Sequence, residues 1–287
     1  MQKRRLTHAR NGPTIEDMRT AIVTGANQGL GFALAEGLAQ RLAPSEVVYL
    51  TGRDRERVDA AAARLDRPRA EVRPRVLDVR DGAAIEALAA ELDEVDIVFS
   101  NAAARIDRET PRAELVAPFV ETNNLGTTRM LRAFSPRLRA GGRLLVVASA
   151  LGSLRRLAEP LHARFEVPTL DDVDATMLAW RDAVIDGRDI AEGWPEWINV
   201  PSKVGQVAAV RVLARDRRAA DLGDGTLVAA VCPGLIDTAA SRPFFDMVDA
   251  QTPARAAVAL LDLALAPTAE PRLYGELVQF GEVIPWR

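Results

Sequence analysis

Short apolar runs alternate along the chain with longer segments in which apolar residues recur every three to four positions. The short runs contain few polar residues, which is typical of strands buried on both faces of a sheet. They predict strands at residues 20–23, 46–50, 72–77, 96–99, 143–147, 226–231 and 277–280. The longer segments have the period of helices with one apolar face. They predict helices at residues 30–42, 57–65, 83–92, 115–138, 204–214 and 255–265.

This alternation predicts an α/β protein in which helices cover both faces of a parallel sheet. We expect a doubly wound sheet of about seven strands. The segment from about residue 154 to 197 interrupts the alternation with charged residues, proline and tryptophan, and we interpret it as a mostly helical insertion. Residues 18–287 are then expected to form a single domain. The polar and basic residues 1–17 are expected to be a flexible N-terminal extension.

Composition and charge exclude several classes of function. The 287 residues include 48% hydrophobic residues, enough for one sizeable core. The 37 basic and 40 acidic side chains leave a net charge of −3, which argues against broad capture of nucleic acid or an anionic membrane. The longest apolar stretch near the C-terminus, residues 254–266, is interrupted by Arg255 and Asp262. We therefore predict no membrane-spanning segment.

Cysteine, histidine and lysine are scarce in this chain. The single cysteine, Cys232, excludes an internal disulfide and favours a reducing, cytoplasmic location. One cysteine and two histidines cannot form a credible zinc cluster, so no metal is predicted. The basic side chains include only two lysines, Lys3 and Lys203. Lysine can lose its proton in a suitable site whereas arginine effectively cannot, which makes Lys203 a candidate functional residue.

A glycine-rich turn joins the first predicted strand to the first predicted helix. Its sequence is Thr24-Gly25-Ala26-Asn27-Gln28-Gly29-Leu30-Gly31. Glycine lets the backbone turn tightly and approach a pyrophosphate, whose charge the helix N-terminus stabilises. A strand before such a turn and a helix after it are the context that dinucleotide binding requires. We therefore predict cofactor contacts from Gly25, Asn27, Gln28, Gly29, Leu30 and Gly31.

The residues after the second predicted strand indicate which dinucleotide is bound. An acidic side chain there would bind the adenosine ribose and exclude a 2′-phosphate. Here the chain passes through Gly52 to Arg53, and Arg57 follows one helical turn later. Two guanidinium groups suit a phosphate dianion, so we predict NADP(H) as the cofactor. The alternative, a solvated and charged helix start, stays open at this point.

The spacing Gly-x-x-x-Gly-x-Gly in the turn resembles that of the short-chain dehydrogenase/reductase family, which has a Rossmann-like fold. Further matches follow later strands, at Leu77-Asp78-Val79, Ser100-Asn101-Ala102-Ala103 and Cys232-Pro233-Gly234 with Thr238. The resemblance extends from residue 18 to the C-terminus. It implies additional cofactor contacts from Asp78, Val79, Asn101, Ala102, Lys203, Pro233, Gly234 and Thr238.

The segment Glu192-Gly193-Trp194-Pro195 is similar to a subgroup of this family, the monomeric carbonyl reductases. In that subgroup an inserted helical segment covers the face that other members use to form dimers and tetramers. The resemblance implies a monomer that acts on a small-molecule carbonyl substrate. The alternative is that the insertion is only a surface excursion.

The resemblance also implies a catalytic set, and this chain departs from it at one position. Ser149 matches the catalytic serine, and Asn123, in Asn123-Asn124-Leu125-Gly126, matches the catalytic asparagine. The family's Tyr-x-x-x-Lys motif aligns with Asn199-Val200-Pro201-Ser202-Lys203, so the tyrosine position holds Asn199. An amide can donate a hydrogen bond to an oxygen, but it cannot give up a proton near pH 7. Loss of a general acid typically costs roughly 10²–10⁴-fold in rate.

Three hypotheses about function follow from this departure. In the first, the protein is an NADPH-dependent reductase of a ketone, aldehyde or quinone with an altered proton donor. In the second, the site catalyses a redox-neutral reaction such as isomerisation, cyclisation or elimination. In the third, the fold binds a nucleotide without catalysis. Retention of Ser149, Asn123 and Lys203 favours the first two.

Overall fold

An eight-stranded sheet forms the centre of residues 18–287, which are the residues that the computed structural model describes. The predicted extension at residues 1–17 lies outside the described residues. The strands are β1 Thr20–Val23, β2 Val47–Gly52, β3 Glu71–Val76, β4 Val95–Ser100, β5 Leu138–Val147, β6 Leu227–Val231, β7 Leu277–Gln279 and β8 Glu282–Ile284. Their order in the sheet is β3-β2-β1-β4-β5-β6-β7-β8. The prediction of a doubly wound α/β fold is confirmed.

The expected number of about seven strands was too low, because the chain continues past β7 into a hairpin. Phe280 and Gly281 both have a positive φ, of 51° and 82°. They turn the chain so that β8 pairs antiparallel with β7, whereas every other pair in the sheet is parallel. Phe280 was predicted as a strand residue, but it lies in this turn and is exposed.

Helices cover both faces of the sheet, as the alternation predicts. The α-helices of the described residues are α1 Gly29–Arg41, α2 Arg55–Ala63, α3 Gly82–Leu92, α4 Arg112–Val120, α5 Gly126–Phe134, α6 Leu170–Ile185, α7 Asn199–Gly223 and α8 Pro253–Leu265. Helix α7 is longer than the predicted 204–214. Pro201 is accommodated because it lies within the first turn, where its missing N–H has no intrahelical partner to lose. The last turns are largely polar, so the apolar period ends before the helix does.

The helix predicted at residues 115–138 is two helices joined by a π-helical turn, Glu121–Leu125. This turn is wider than an α-helical turn, and such turns occur frequently at functional sites. The end of the predicted helix is instead a 3₁₀ turn, Ser135–Arg137, followed by Leu138, the first residue of β5. Strand β4 pairs with this early part of β5 through Val95 and Leu138, across an irregularity in the register. Apolar periodicity does not distinguish these two arrangements.

The predicted insertion consists of short 3₁₀ turns and the helix α6. Thr169 and Asp172 form a reciprocal capping box at the start of α6. The helix packs against α4 and α7. Trp180 of α6 and Trp194 after it are buried, with ring centroids 6.1 Å apart, and they join the same apolar core as the sheet. The buried Asp189 carboxylate pairs with Arg112 on α4, so both polar and apolar contacts hold the insertion to the sheet layer.

Candidate cofactor and substrate site

The predicted site residues meet at the carboxyl end of the parallel sheet. Strand β1 lies between β2 and β4, so the chain reverses its direction of winding beside β1. Ligands of open α/β sheets bind in the crevice at such a point. The loops after β1 to β6 lie at this end of the sheet. They carry the predicted residues at Gly25–Gly31, Arg53, Asp78, Asn101, Ser149 and Pro233.

The glycine turn after β1 has no room for a Cβ at Gly25 or Gly31, and the positive φ of Gly29 disfavours a side chain there. Gly25 has φ of 63°, and an added Cβ would lie 2.8 Å from the Cα of Ala102. Gly29 has φ of 57° and begins α1. A Cβ on Gly31 would lie 2.4 Å from the backbone oxygen of Gly25 and 2.4 Å from the side-chain nitrogen of Asn101. The turn is therefore a bare backbone surface at a helix N-terminus, which fits a pyrophosphate.

Thr24 joins this turn to the loop after β4. Its hydroxyl oxygen accepts hydrogen bonds from the backbone nitrogens of Asn101, at 2.9 Å, and Ala102, at 3.0 Å. The Asn101 side chain donates to the backbone oxygen of Thr24 at 2.8 Å. Thr24 is fully buried. The sequence prediction did not single it out, although it stands at the start of the glycine segment.

The end of β2 is shaped for a residue without a side chain. A Cβ on Gly52 would lie 2.9 Å from the side chain of Val58 and 3.2 Å from the side-chain amide of Asn27. The predicted Arg53 is exposed beside it. The other predicted arginine, Arg57, donates a hydrogen bond to the side chain of Gln28 at 2.6 Å. An acidic side chain is therefore absent from this point, and two guanidinium groups flank it.

A third arginine, Arg64, reaches the same place from the end of α2. It donates a hydrogen bond to the backbone oxygen of Asn27 at 3.2 Å, and its guanidinium lies 5.0 Å from the ring centroid of Phe32. Gln28, Gly29, Phe32 and Arg64 line a cavity of about 230 Å³. The sequence prediction missed Arg64. The available signal was its position seven residues after Arg57, which puts the two on one face of α2.

Asp78 and Val79, predicted to contact the adenine, lie in the loop after β3. The Asp78 carboxylate is paired with Arg80, which donates from Nη2 at 2.5 Å. This hydrogen bond is the main cause that lowers the pKa of Asp78, and Arg53 contributes a smaller effect in the same direction. Val79 is buried, and a Cβ on Gly126 would lie 2.9 Å from it. Arg80 is therefore a further charged group at this end of the crevice.

Ser149 and Asn199 provide polar groups at the other end. Ser149 follows β5 and caps a short 3₁₀ turn, Ala150–Gly152, where its oxygen accepts from the nitrogen of Leu151 at 3.3 Å. Asn199 is the first residue of α7 and is partly exposed. Within residues 18–287 no group forms a hydrogen bond with its side-chain amide. A Cβ on Gly152 would lie 2.9 Å from the backbone oxygen of Lys203, so the turn packs directly on α7.

Lys203 points from α7 toward the end of β5. Its Nζ donates to the backbone oxygen of Val147 at 3.2 Å and to the side-chain oxygen of Gln206 at 2.7 Å. Burial lowers the pKa of Lys203 to about 8, and the nearby Cys232 thiol acts weakly in the opposite direction. Burial also raises the pKa of Cys232, so the thiol is neutral near pH 7. Lys203 can therefore exchange a proton close to neutral pH.

Asn123 lies in the π-helical turn, and both polar atoms of its side chain have partners within the protein. Its oxygen accepts from the backbone nitrogen of Ala104 at 2.8 Å, and its nitrogen contacts the hydroxyl of Ser202 at 3.4 Å. The neighbouring Asn124 donates to the backbone oxygen of Ser202 at 2.8 Å. Asn123 and Ser202 are both fully buried. These contacts connect the loop after β4 to the beginning of α7 and hold the site together.

The loop after β6 closes the crevice on the remaining side. Gly234, which follows Pro233, has φ of 82°. Thr238 lies opposite the glycine turn, with its methyl group 4.0 Å from the position a Cβ would take on Gly29. Further along the loop, the ring centroid of Phe245 lies 5.6 Å from the ring centroid of Trp197. This aromatic pair forms an apolar wall beside the start of α7.

Two further observations bear on the kind of site. Among residues 18–287, no three or more histidine, cysteine or acidic side chains are arranged to hold a metal ion. In the same part of the chain, no helix is both long and apolar enough to span a bilayer.

Comparison with known proteins connects this geometry to a family. The sequence profile of the short chain dehydrogenase family matches residues 19–161. Carbonyl reductase [NADPH] 1 of Sus scrofa is 30% identical over 284 residues, which cover 93% of this chain and 94% of that protein. Carbonyl reductase [NADPH] 3 of Mus musculus is 30% identical over 278 residues, covering 93% and 98%.

The fold has close counterparts among solved structures. Salutaridine reductase from Papaver somniferum superposes with a TM-score of 0.75 at 22% identity, covering 90% of this chain and 99% of that chain. Menthone neomenthol reductase from Mentha piperita gives a TM-score of 0.73 at 24% identity, covering 92% and 99%. Sequence identity over nearly the whole length, together with the bare glycine turn and the doubly wound sheet, establishes that the chain belongs to the short-chain dehydrogenase family.

Proposed function

We propose that the protein is an NADPH-dependent oxidoreductase that reduces the carbonyl group of a ketone, aldehyde or quinone, with a proton donor other than tyrosine. The observation that carries the proposal is the set of groups brought together at the carboxyl end of the sheet. The glycine turn follows β1, the arginines beside Gly52 follow β2, Ser149 follows β5, and Lys203 donates to Val147 at the end of β5. The relatives named as NADPH-dependent carbonyl reductases support the same cofactor and substrate class.

The residues of the crevice fit each part of NADPH. The glycine turn offers backbone to the pyrophosphate, the arginines beside Gly52 offer cations to the 2′-phosphate, and Lys203 offers an ammonium group to the nicotinamide ribose. The complete proposed contact set is Gly25, Asn27, Gln28, Gly29, Leu30, Gly31, Arg53, Arg57, Asp78, Val79, Asn101, Ala102, Lys203, Pro233, Gly234 and Thr238. NADPH, when bound, supplies the hydride.

The chain's own residues act on the substrate oxygen. As two electrons arrive at the carbonyl carbon with the hydride, the π electrons move to the oxygen, which becomes negative and requires a proton. Ser149 and Asn199 donate hydrogen bonds to this oxygen and stabilise the charge. The Asn199 amide has no competing partner among the described residues, so it is available for this role. Asn123 contributes by holding α7 in place rather than by touching the substrate.

The proton must come from a group other than Asn199. Ser202 is fully buried against Asn123 and cannot reach the crevice, so it is the weaker candidate. Lys203 has a pKa of about 8 and is a competent acid near neutral pH. We assign the proton to the Lys203 ammonium, delivered through a water molecule, after which solvent reprotonates the amine. A substrate that carries its own acidic hydroxyl is the remaining alternative.

The assembly and location follow from the same proposal. Helix α6 of the insertion packs on α4 and α7, which supports the expectation that the insertion covers a face available for association in other family members. We therefore propose that the protein acts as a monomer. A cytoplasmic location, without a nucleic-acid or membrane partner, stays a prediction from the composition.

A calorimetric titration with NADPH and NADH, followed by NADPH oxidation with a panel of quinones and diketones, tests the proposed function. We expect NADPH to bind in the micromolar range and to be oxidised by at least one member of the panel. Binding without turnover on any carbonyl would favour a redox-neutral enzyme or a non-catalytic nucleotide-binding protein. The absence of NADPH binding would refute the proposal.

Replacing either Arg53 or Arg57 with alanine is expected to weaken NADPH binding roughly 10- to 100-fold, with little effect on NADH. Each charge-assisted hydrogen bond to a phosphate contributes about 1.5–3 kcal/mol, and only NADPH has the 2′-phosphate. The measurement is the ratio of the two dissociation constants. Arg55→Ala is the matched control, because Arg55 lies in the same helix but pairs with Asp59 in solvent. Equal losses of affinity for NADPH and NADH would contradict the assignment of these arginines to the 2′-phosphate.

A further inference from the structure

We infer that Gln206 is a positioning residue for Lys203: its amide holds the lysine ammonium from one side and is anchored to the π-helical turn on the other. The inference rests on the proposed function, because holding Lys203 matters through the lysine's contact with the cofactor and its proton. It adds a residue outside the predicted site, one turn further along α7.

A continuous chain of hydrogen bonds carries the inference. Lys203 donates to the side-chain oxygen of Gln206 at 2.7 Å, and the Gln206 side-chain nitrogen donates to the hydroxyl of Thr127 at 3.0 Å. The Thr127 hydroxyl in turn donates to the backbone oxygen of Asn123 at 2.6 Å. An ammonium group can only donate and a backbone oxygen can only accept, so the direction of every bond in the chain is determined.

The side chains in this chain of hydrogen bonds are buried, so each polar group needs a partner within the protein. Gln206 and Thr127 are each 2% exposed, and Asn123 is fully buried. The residues around Gln206 on α7 include the buried Val204, Val207 and Val210, so an apolar side chain would pack there readily. A buried amide costs free energy unless its hydrogen bonds are satisfied. Among residues 18–287, Lys203 and Thr127 are the partners that satisfy this condition for Gln206.

The Gln206 side chain is uncharged, and this affects Lys203 as much as its geometry does. The ionisable side chain that affects Lys203 among the described residues is Cys232, from the end of β6. The acidic groups of α6 and the π-helical turn are engaged elsewhere: Asp171 and Asp174 pair with Arg132, Asp182 with Arg181 and Glu121 with Arg129, and Asp172 caps α6 through Thr169. Gln206 therefore gives Lys203 a neutral acceptor in place of a counterion. A neutral acceptor orients the ammonium without preventing it from releasing a proton.

The test measures the pKa of Lys203 directly. The chain has two lysines, so the variant Lys3→Arg leaves Lys203 as its only lysine. In protein labelled with ¹³C-lysine, the Cε signal then reports the Lys203 titration without nucleotide. Lys203 is charged below about pH 8 and neutral above it. Gln206→Glu is expected to move this midpoint upward by about one pH unit or more, because a carboxylate favours the charged lysine. Gln206→Met is expected to move it downward by about half a unit or more.

Two threonine variants separate positioning from simple packing. Thr127→Val removes the anchor of the Gln206 amide, so it should change the Lys203 midpoint. Thr128→Val removes an equally buried hydroxyl, which bonds to the backbone of Leu125 and to Asp174 rather than to Gln206. It should lower the melting temperature without changing the midpoint. Circular dichroism identifies any variant that fails to fold.

The outcomes distinguish this inference from the proposed function. If the Gln206 variants fold and the midpoint stays unchanged, Gln206 is only a packing residue and the inference is wrong, whatever the protein binds. If the Lys203 titration midpoint moves as expected, NADPH binding should also change with pH around a midpoint that moves in the same direction. Failure of the wild-type protein to bind NADPH at any pH would instead refute the proposed function.

Discussion

Asn199→Tyr is expected to increase NADPH-dependent reduction of a quinone or diketone about a hundredfold, the effect typical of a well-placed general acid. Asn199 lies one helical turn before Lys203, and side chains four residues apart share a face of a helix. A phenol at residue 199 would lie beside a cation that lowers its pKa, and it could give up the proton that an amide cannot. The measurement is kcat/KM from the loss of NADPH absorbance.

Asn199→Phe is the matched control for this gain. It introduces the same ring without the hydroxyl, so it should leave the rate at or below that of the wild-type protein. Equal rates for the two variants would mean that bulk rather than acidity limits the reaction. Loss of activity on the natural substrate in both variants would indicate that the amide itself takes part in the reaction, which favours the redox-neutral hypothesis.

Gly31→Ala is expected to weaken NADPH binding about a hundredfold, because it disrupts the turn that faces the pyrophosphate. The added Cβ would lie 2.4 Å from the backbone oxygen of Gly25, and backbone atoms cannot rotate away as a flexible side chain can. The turn must shift, and the loss of two phosphate hydrogen bonds at about 1.5 kcal/mol each accounts for the effect. Calorimetry gives the dissociation constant.

Gly37→Ala, also in α1, distinguishes loss of the cofactor surface from loss of helix packing. A Cβ at residue 37 would lie 2.3 Å from the end of the Leu261 side chain on α8, which can change its rotamer. This variant should lower the melting temperature and leave the dissociation constant for NADPH within about twofold. Similar losses of NADPH affinity in both variants would mean that the turn is only part of the scaffold.

Local sequence was sufficient to predict the elements that repeat with a clear period. Most strands and helices were located to within a few residues. The exceptions are α7, which spans Asn199–Gly223 rather than 204–214, and the region where two elements adjoin without a break. The helix predicted at residues 115–138 is the main failure. The apolar spacing continues across the π-helical turn at Glu121–Leu125 and into the start of β5. The spacing therefore does not show where one element ends and the next begins. The eighth strand was missed because it is short and half-exposed.

The crevice was predicted less completely than the sheet. Residues in recognisable segments, such as the glycine turn and the lysine of α7, were predicted from the chain alone, and their contacts with a cofactor stay a prediction. Thr24, Arg64 and Gln206 were not, because their roles depend on partners distant in sequence. Arg64 contacts Asn27 across 37 positions, and Gln206 contacts Thr127 across 79. Local sequence does not show such contacts: the spacing of Arg57 and Arg64 indicates a shared helix face but not the partner that the face meets.

The sequence by itself determined that the chain alternates strands and helices, that a glycine turn follows the first strand, and that residue 199 is an amide four residues before a lysine. These are properties of neighbouring residues. Only the tertiary structure decided which groups surround Lys203, because the ends of β5 and β6, the π-helical turn and α7 meet only when the sheet is assembled. The pKa of Lys203 depends on that enclosure, since burial acts on a side chain only after distant segments have closed around it.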